Sequence, residues 1–180
     1  MVSTRHRQFG GSKLFEFVIV VLLVGVLSMV VLEYMLRYIE VAEKGAMENT
    51  VLNLRSALRL RLAEVLVRGD AAEGVRLSRE NPMSWLQSKP QNYAGEFSYP
   101  EPDSIGLGKW YYDSNDRELV YLVDHGREFV PDEEGRKRVR LRVVAPSLAR
   151  RAKENQEMTV NVVVQDISLV LAEPYKWEFK

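Results

Sequence analysis

The chain has 180 residues, 46% hydrophobic and 28% charged, which is enough apolar material for a packed core. Its 25 Lys and Arg balance 25 Asp and Glu, so net charge gives no argument for a nucleic-acid or acidic partner. It has no cysteine and two histidines, His6 and His125, which excludes disulfides, thiol nucleophiles, Cys-based zinc or iron–sulfur sites, Cys lipid anchors and any His-centred catalytic or multi-His metal site.

In chain order, residues 1–11 read as a short basic leader that carries Arg5 and Arg7, no acid, and ends in Gly10-Gly11. Ser12-Lys13-Leu14-Phe15-Glu16 follows, and from Phe17 to Leu32 every residue is apolar except Gly25 and Ser28. As a helix, Leu14 to Leu32 covers roughly 28 Å, about one hydrocarbon core. A helix apolar on all faces beside a basic N-terminus predicts membrane insertion rather than a buried core helix. A secretory signal peptide would need a small-x-small cleavage site after the run. Glu33-Tyr34-Met35-Leu36-Arg37-Tyr38 holds no small residue, so the run is expected to stay with the protein. Positive charge before it predicts a cytoplasmic N-terminus and a body on the far side. Glu16 is the anomaly, because a carboxylate costs about 2.5–3.5 kcal/mol at mid-membrane and less near the edge. It either marks the interface, where it reaches water, or awaits a positive partner inside lipid.

Gly11, then Ser12 to Glu16, then Phe17 to Leu27 together resemble the class III signal of type IV prepilins and type II secretion pseudopilins. That resemblance implies cleavage between Gly11 and Ser12 by a prepilin peptidase, N-methylation of Ser12, and an assembly or register role for Glu16 as the fifth mature residue. Cleavage after Gly10 would make Glu16 the sixth. Ser12 stands where the family usually has Phe, and Lys13 where Thr or Ser is common. The implied partners are copies or homologues of the chain in a filament, the peptidase, and an inner-membrane assembly platform.

The helical pattern continues past the membrane segment. No proline occurs from Lys13 to Val67, and Met47, Val51, Leu54, Leu58, Leu62 and Val65 recur at steps of 4, 3, 4, 4 and 3. This predicts one helix from about Ser12 to Val67, amphipathic in its second half and stopped by Gly69-Asp70. Pilins often kink at a proline in the apolar half; Glu33 occupies that place here, so no kink is expected there. Residues 69–108 are rich in turn signals and read as a connecting region, with a short helix within Ser78–Leu86 and with Trp85, Leu86, Tyr93 and Phe97 packing it down.

From Lys109 the period changes to that of strands. Lys109–Asp113 and Glu118–Asp124 flank Ser114-Asn115-Asp116-Arg117, a hairpin signal. Lys137–Ala145 alternates, with Val139, Leu141 and Val143 on one face and Arg138, Arg140 and Arg142 on the other. Thr159–Gln165 is rich in valine and reads as a strand; Ile167–Leu171 and Lys176–Phe179 read as short ones. Trp110, Tyr111, Tyr112, Tyr121, Tyr175 and Trp177 are expected in core and edge packing.

Two clusters are candidate sites. Asp113, Asn115, Asp116 and Glu118 could hold calcium, but Asx turns explain them more simply, so no metal and no cofactor is expected. Arg136, Lys137, Arg138, Arg140 and Arg142, with Arg150, Arg151 and Lys153 beyond, form a basic face. Loss of the leader leaves 23 basic and 25 acidic residues, so a solvated or subunit-contacting face is favoured and nucleic acid is not expected. The sequence therefore predicts an α+β, pilin-like protein: a leader (1–11), a transmembrane and filament-core half-helix (12–36), and an exported domain (37–180) with the second half-helix on an antiparallel sheet. It is expected to be a pseudopilin or minor pilin of the bacterial inner membrane and not an enzyme. The alternative is a single-pass, signal-anchored, receptor-like protein with an exported binding domain. An unprocessed N-terminus would favour it.

Overall fold

A computed structural model of the chain describes residues 11–146 and 159–179. The leader up to residue 10 and the basic residues Arg150, Arg151 and Lys153 lie outside the described residues. The fold is α+β. Two compact units, Met1–Val41 and Ala42–Lys180, are distinguished, and helix α1 (Gly11–Arg68, 58 residues) contributes to both.

In the first unit α1 is apolar around its whole circumference from Phe17 to Leu32. Between Lys13 and Ile39 every residue is exposed. In the second unit the periodicity read from the sequence is realised. Met47, Val51, Leu54, Leu58, Leu62 and Val65 are all buried, and they pack with Trp110, Tyr112, Leu119, Tyr121, Val139 and Leu141 of the sheet. Each such aliphatic side chain contributes about 1.5–3 kcal/mol by leaving water. The helix stops where Gly69 turns to φ 72° and its N–H reaches the Val65 carbonyl at 3.0 Å, a conformation that glycine adopts without the Cβ penalty.

The remaining elements are α2 (Ala71–Leu77), a 3-10 turn (Pro82–Trp85), β1 (Tyr93–Phe97), α3 (Pro102–Ile105), β2 (Trp110–Asp113), β3 (Glu118–Leu122), β4 (Arg138–Val144), α4 (Val160–Asp166) and β5 (Ser168–Leu171). Asp70 caps α2 by accepting from the N–H groups of Ala72 and Glu73, and Asn81 caps the 3-10 turn through Met83 N–H at 2.9 Å. The five strands lie in chain order. Strands β2 to β5 are antiparallel neighbours. Alternation puts Trp110, Tyr112, Leu119 and Tyr121 on the α1 face, whereas Tyr111, Val120 and Leu122 meet Ile105 of α3 on the other.

Four expectations are corrected. The sheet is not wholly antiparallel, because β1 pairs with β2 in parallel. The segment between them crosses the outer face through α3 and buries Ile105 there, so two adjacent strands can run the same way. The connecting region therefore contains a strand, hidden by Gly95 at φ 124° and by a register shift between Tyr93 and Gly95. The short helix expected within Ser78–Leu86 is the 3-10 turn, and α2 precedes it. The valine-rich segment is a helix rather than a strand, for a packing reason: Val163 is fully buried and its Cγ1 fills the space where a Cβ on Gly74 would stand, 2.2 Å away. Lys176–Phe179 forms only an isolated bridge, Trp177 to Phe129.

Candidate functional site

Gly11 opens α1 and Ser12 is its second residue. Glu16 stands four residues beyond Ser12, just over one helical turn, and is exposed on the helix. It is the one charge between Leu14 and Leu32. An 18-residue window of α1 reaches a mean hydropathy of 2.9, and none of it is buried. The helix is thus long and apolar enough to span a bilayer, and the one carboxylate of its Leu14–Leu32 stretch lies near the end that Gly11 opens. Leu22, Leu23, Leu27 and Leu32 are each more than half exposed. In water they would oppose solubility, and in lipid they would meet their own kind.

The second unit grips its part of α1 through a charged pair that sequence reasoning missed. The Glu43 carboxylate accepts from Tyr121 Oη at 2.9 Å, from Asp124 N–H at 2.8 Å and from His125 N–H at 2.6 Å. His125 Nδ1 lies 3.1 Å from the same carboxylate and 3.5 Å from Asp124. Burial first, and the Glu43 carboxylate second, hold the Tyr121 phenol protonated far above its ordinary range. Beside it, Lys44 Nζ donates to the Trp177 carbonyl at 2.7 Å and sits 5.3 Å from the Phe179 ring. A signal was present. Glu43 precedes Met47 by four residues, so a carboxylate holds the first position of the buried stripe.

The basic strand face is brought together as the alternation predicted, but its guanidinium groups are engaged. Arg138 bonds Asp132 at 2.5 Å and Glu134 at 2.9 Å. Arg140 pairs with Glu118 at 3.7 Å and with Glu173, and Arg142 pairs with Glu118 at 3.0 Å. Lys137 Nζ donates to the Gly126 carbonyl at 2.5 Å. Burial works against the Asp132 anion, but the Arg136 N–H and the Arg138 side chain outweigh it and hold that carboxyl below its usual range. At Glu118 burial prevails over Arg140 and Arg142 and raises the carboxyl.

The acidic hairpin is a turn device: Asp113 Oδ1 accepts from Asn115 N–H at 2.9 Å and Asp116 N–H at 3.3 Å. Among the described residues no group of three or more His, Asp or Glu side chains is arranged to hold a metal ion. No family model matches this chain, and neither a curated protein nor a solved structure does.

Proposed function

We propose that the chain is a pilin-like structural subunit, a pseudopilin or minor pilin, and not an enzyme. It is made as an inner-membrane precursor with its body on the periplasmic side, cut between Gly11 and Ser12, methylated at Ser12, and assembled with like subunits. The carrying observation is α1 itself: one unbroken helix, apolar on all sides where Glu16 is its lone carboxylate, then amphipathic where it packs on a sheet. An ordinary membrane anchor needs no acid at this depth. Glu16 has a use if it meets the cationic amine of a neighbouring Ser12 in the filament core, where low dielectric makes pairing strong and an unpaired charge costly.

The test is maturation and assembly compared in two variants. Gly11→Val should leave a full-length precursor by intact mass. Glu16→Val should be cut normally yet enter sheared filaments poorly, since losing one partner of a buried pair costs about 3–5 kcal/mol. An intact Met1 on the wild-type protein, or normal assembly of Glu16→Val, would overturn this assignment.

A further inference from the structure

Where the apolar run of α1 ends, the helix sets two phenols and a guanidinium on one side. Tyr34, Arg37 and Tyr38 stand at steps of three and one, so at roughly 100° per residue they share about 100° of the helix circumference. All three belong to the Met1–Val41 unit. Tyr34 and Tyr38 are 71% and 72% exposed. Among the described residues none of the three has a hydrogen-bond, ion-pair or ring partner.

On a soluble helix water would satisfy such groups. This helix adjoins Phe17–Leu32, which holds no charge, so depth in a bilayer decides what they meet. From Glu16 to Tyr34 it advances about 27 Å, close to one hydrocarbon core. From Lys13 to Arg37 it advances about 36 Å, within the roughly 40–45 Å of a bilayer with both head-group layers. With Lys13 and Glu16 in one head-group layer, Tyr34 falls at the far edge of the hydrocarbon and Arg37 and Tyr38 among the far head groups. A phenol suits that layer because its ring is apolar and its hydroxyl is wet. A guanidinium matches a phosphate with two parallel N–H···O bonds. Glu33 is the rival partner for Arg37: it stands one turn earlier, at the spacing of a helical ion pair, but on the hydrocarbon side.

We infer that Tyr34, Arg37 and Tyr38 form a binding site for a phospholipid head group in the leaflet away from Gly11. Arg37 holds the phosphate, and the two phenols donate to phosphate or ester oxygens. The ligand is the phosphodiester of the bilayer itself, because the three groups stand at its depth. The inference rests on the membrane-spanning reading of α1 and is independent of cleavage at Gly11.

The chain has no cysteine, so a single nitroxide label reports depth. The full chain carries it at Met35→Cys, off the arc of the site, or at Gly25→Cys in mid-span. It is reconstituted into vesicles of phosphatidylglycerol and phosphatidylcholine, and into galactolipid vesicles with the same acyl chains and no phosphate. Collisions with a water-soluble nickel complex, compared with those of oxygen, give the depth. In galactolipid the nickel collisions of the Met35 label should fall at least about twofold, because no phosphate holds Arg37 at the surface. Inorganic phosphate added to those vesicles should not restore them. In phospholipid Arg37→Gln should give the same fall, Arg37→Lys should recover most of it, and Tyr34→Phe/Tyr38→Phe should give a smaller one. Glu33→Gln should leave the label in place. Equal depth in the two lipids, no change in Arg37→Gln, a Glu33→Gln variant that copies Arg37→Gln, or restoration by inorganic phosphate would each overturn the inference while the Gly25 label stays buried in lipid. A Gly25 label open to nickel would overturn the spanning reading, and the inference with it.

Discussion

At the scale of single residues, Glu43 carries more of the second unit's order than any one contact of the basic face. It satisfies two loop N–H groups and a buried phenol at once. Glu43→Ala strands the buried Tyr121 hydroxyl and gives the exposed Asp124 and His125 N–H groups to water, and urea denaturation should register a loss of about 1–3 kcal/mol. Asp132 and Glu118 predict opposite pH behaviour. The Asp132 carboxyl is lowered on folding, so its contribution is present above the ordinary aspartate range and is lost as pH falls through the folded value. Asp132→Asn should therefore cost about 2 kcal/mol at neutral pH and little in strong acid, where the wild type has lost the same contribution. Glu118 is raised, so its contribution is complete below the ordinary glutamate range and disappears as pH rises through the folded value. Glu118→Gln does not titrate, so relative to the wild type it should gain stability as pH rises through the folded value. Stability curves at several pH values for the two single variants separate these effects.

At the scale of elements, legibility followed length. Fifty-odd residues of helix repeat their signal many times, so α1, its stop at Gly69 and its buried stripe could be read directly. The alternation in β4 and the hairpin of β2 and β3 were equally plain. Val160–Asp166 was misread because seven residues satisfy two periods. Its valines suit a strand, yet Val160, Val163, Val164 and Ile167 also fall at helical steps, and the side that wins is set by Gly74 on α2, far away in the chain. A local window holds no trace of that partner. The same distance hid β1, whose pairing depends on a crossover, and Glu43, whose three donors come from residues about eighty positions later. Gly74→Ala tests the packing account. Alanine is the better helix former by about 1 kcal/mol, but its methyl would overlap Val163 at 2.2 Å. The variant should lose about 1–3 kcal/mol, and Val163→Ala added to it should recover part of that loss. A stabilised Gly74→Ala protein by thermal denaturation would contradict it.

At the scale of the whole molecule, the large core and the apolar segment are separable. The core residues run from Met47 to Trp177, all inside the Ala42–Lys180 unit, whereas the exposed run from Leu14 to Leu36 lies in the other. A chain started at Ala42 should be soluble and unfold in one cooperative step, keeping both helical and strand signals by circular dichroism. The full chain should require detergent. An insoluble or non-cooperative fragment would mean that the core depends on residues before Ala42.

The paired grip at Glu43 and Lys44 has a mechanical consequence. These neighbouring residues tie one turn of α1 to two remote stretches of chain, the loop after β3 and the Trp177 backbone. A tension along the helix axis would load those bonds together, across their length, instead of peeling them one after another. Shear of this kind resists rupture better than unzipping, so in a pulling experiment the tether at residues 43–44 should set the peak force. Cutting it through Glu43→Ala and Lys44→Ala should lower that peak more than it lowers equilibrium stability.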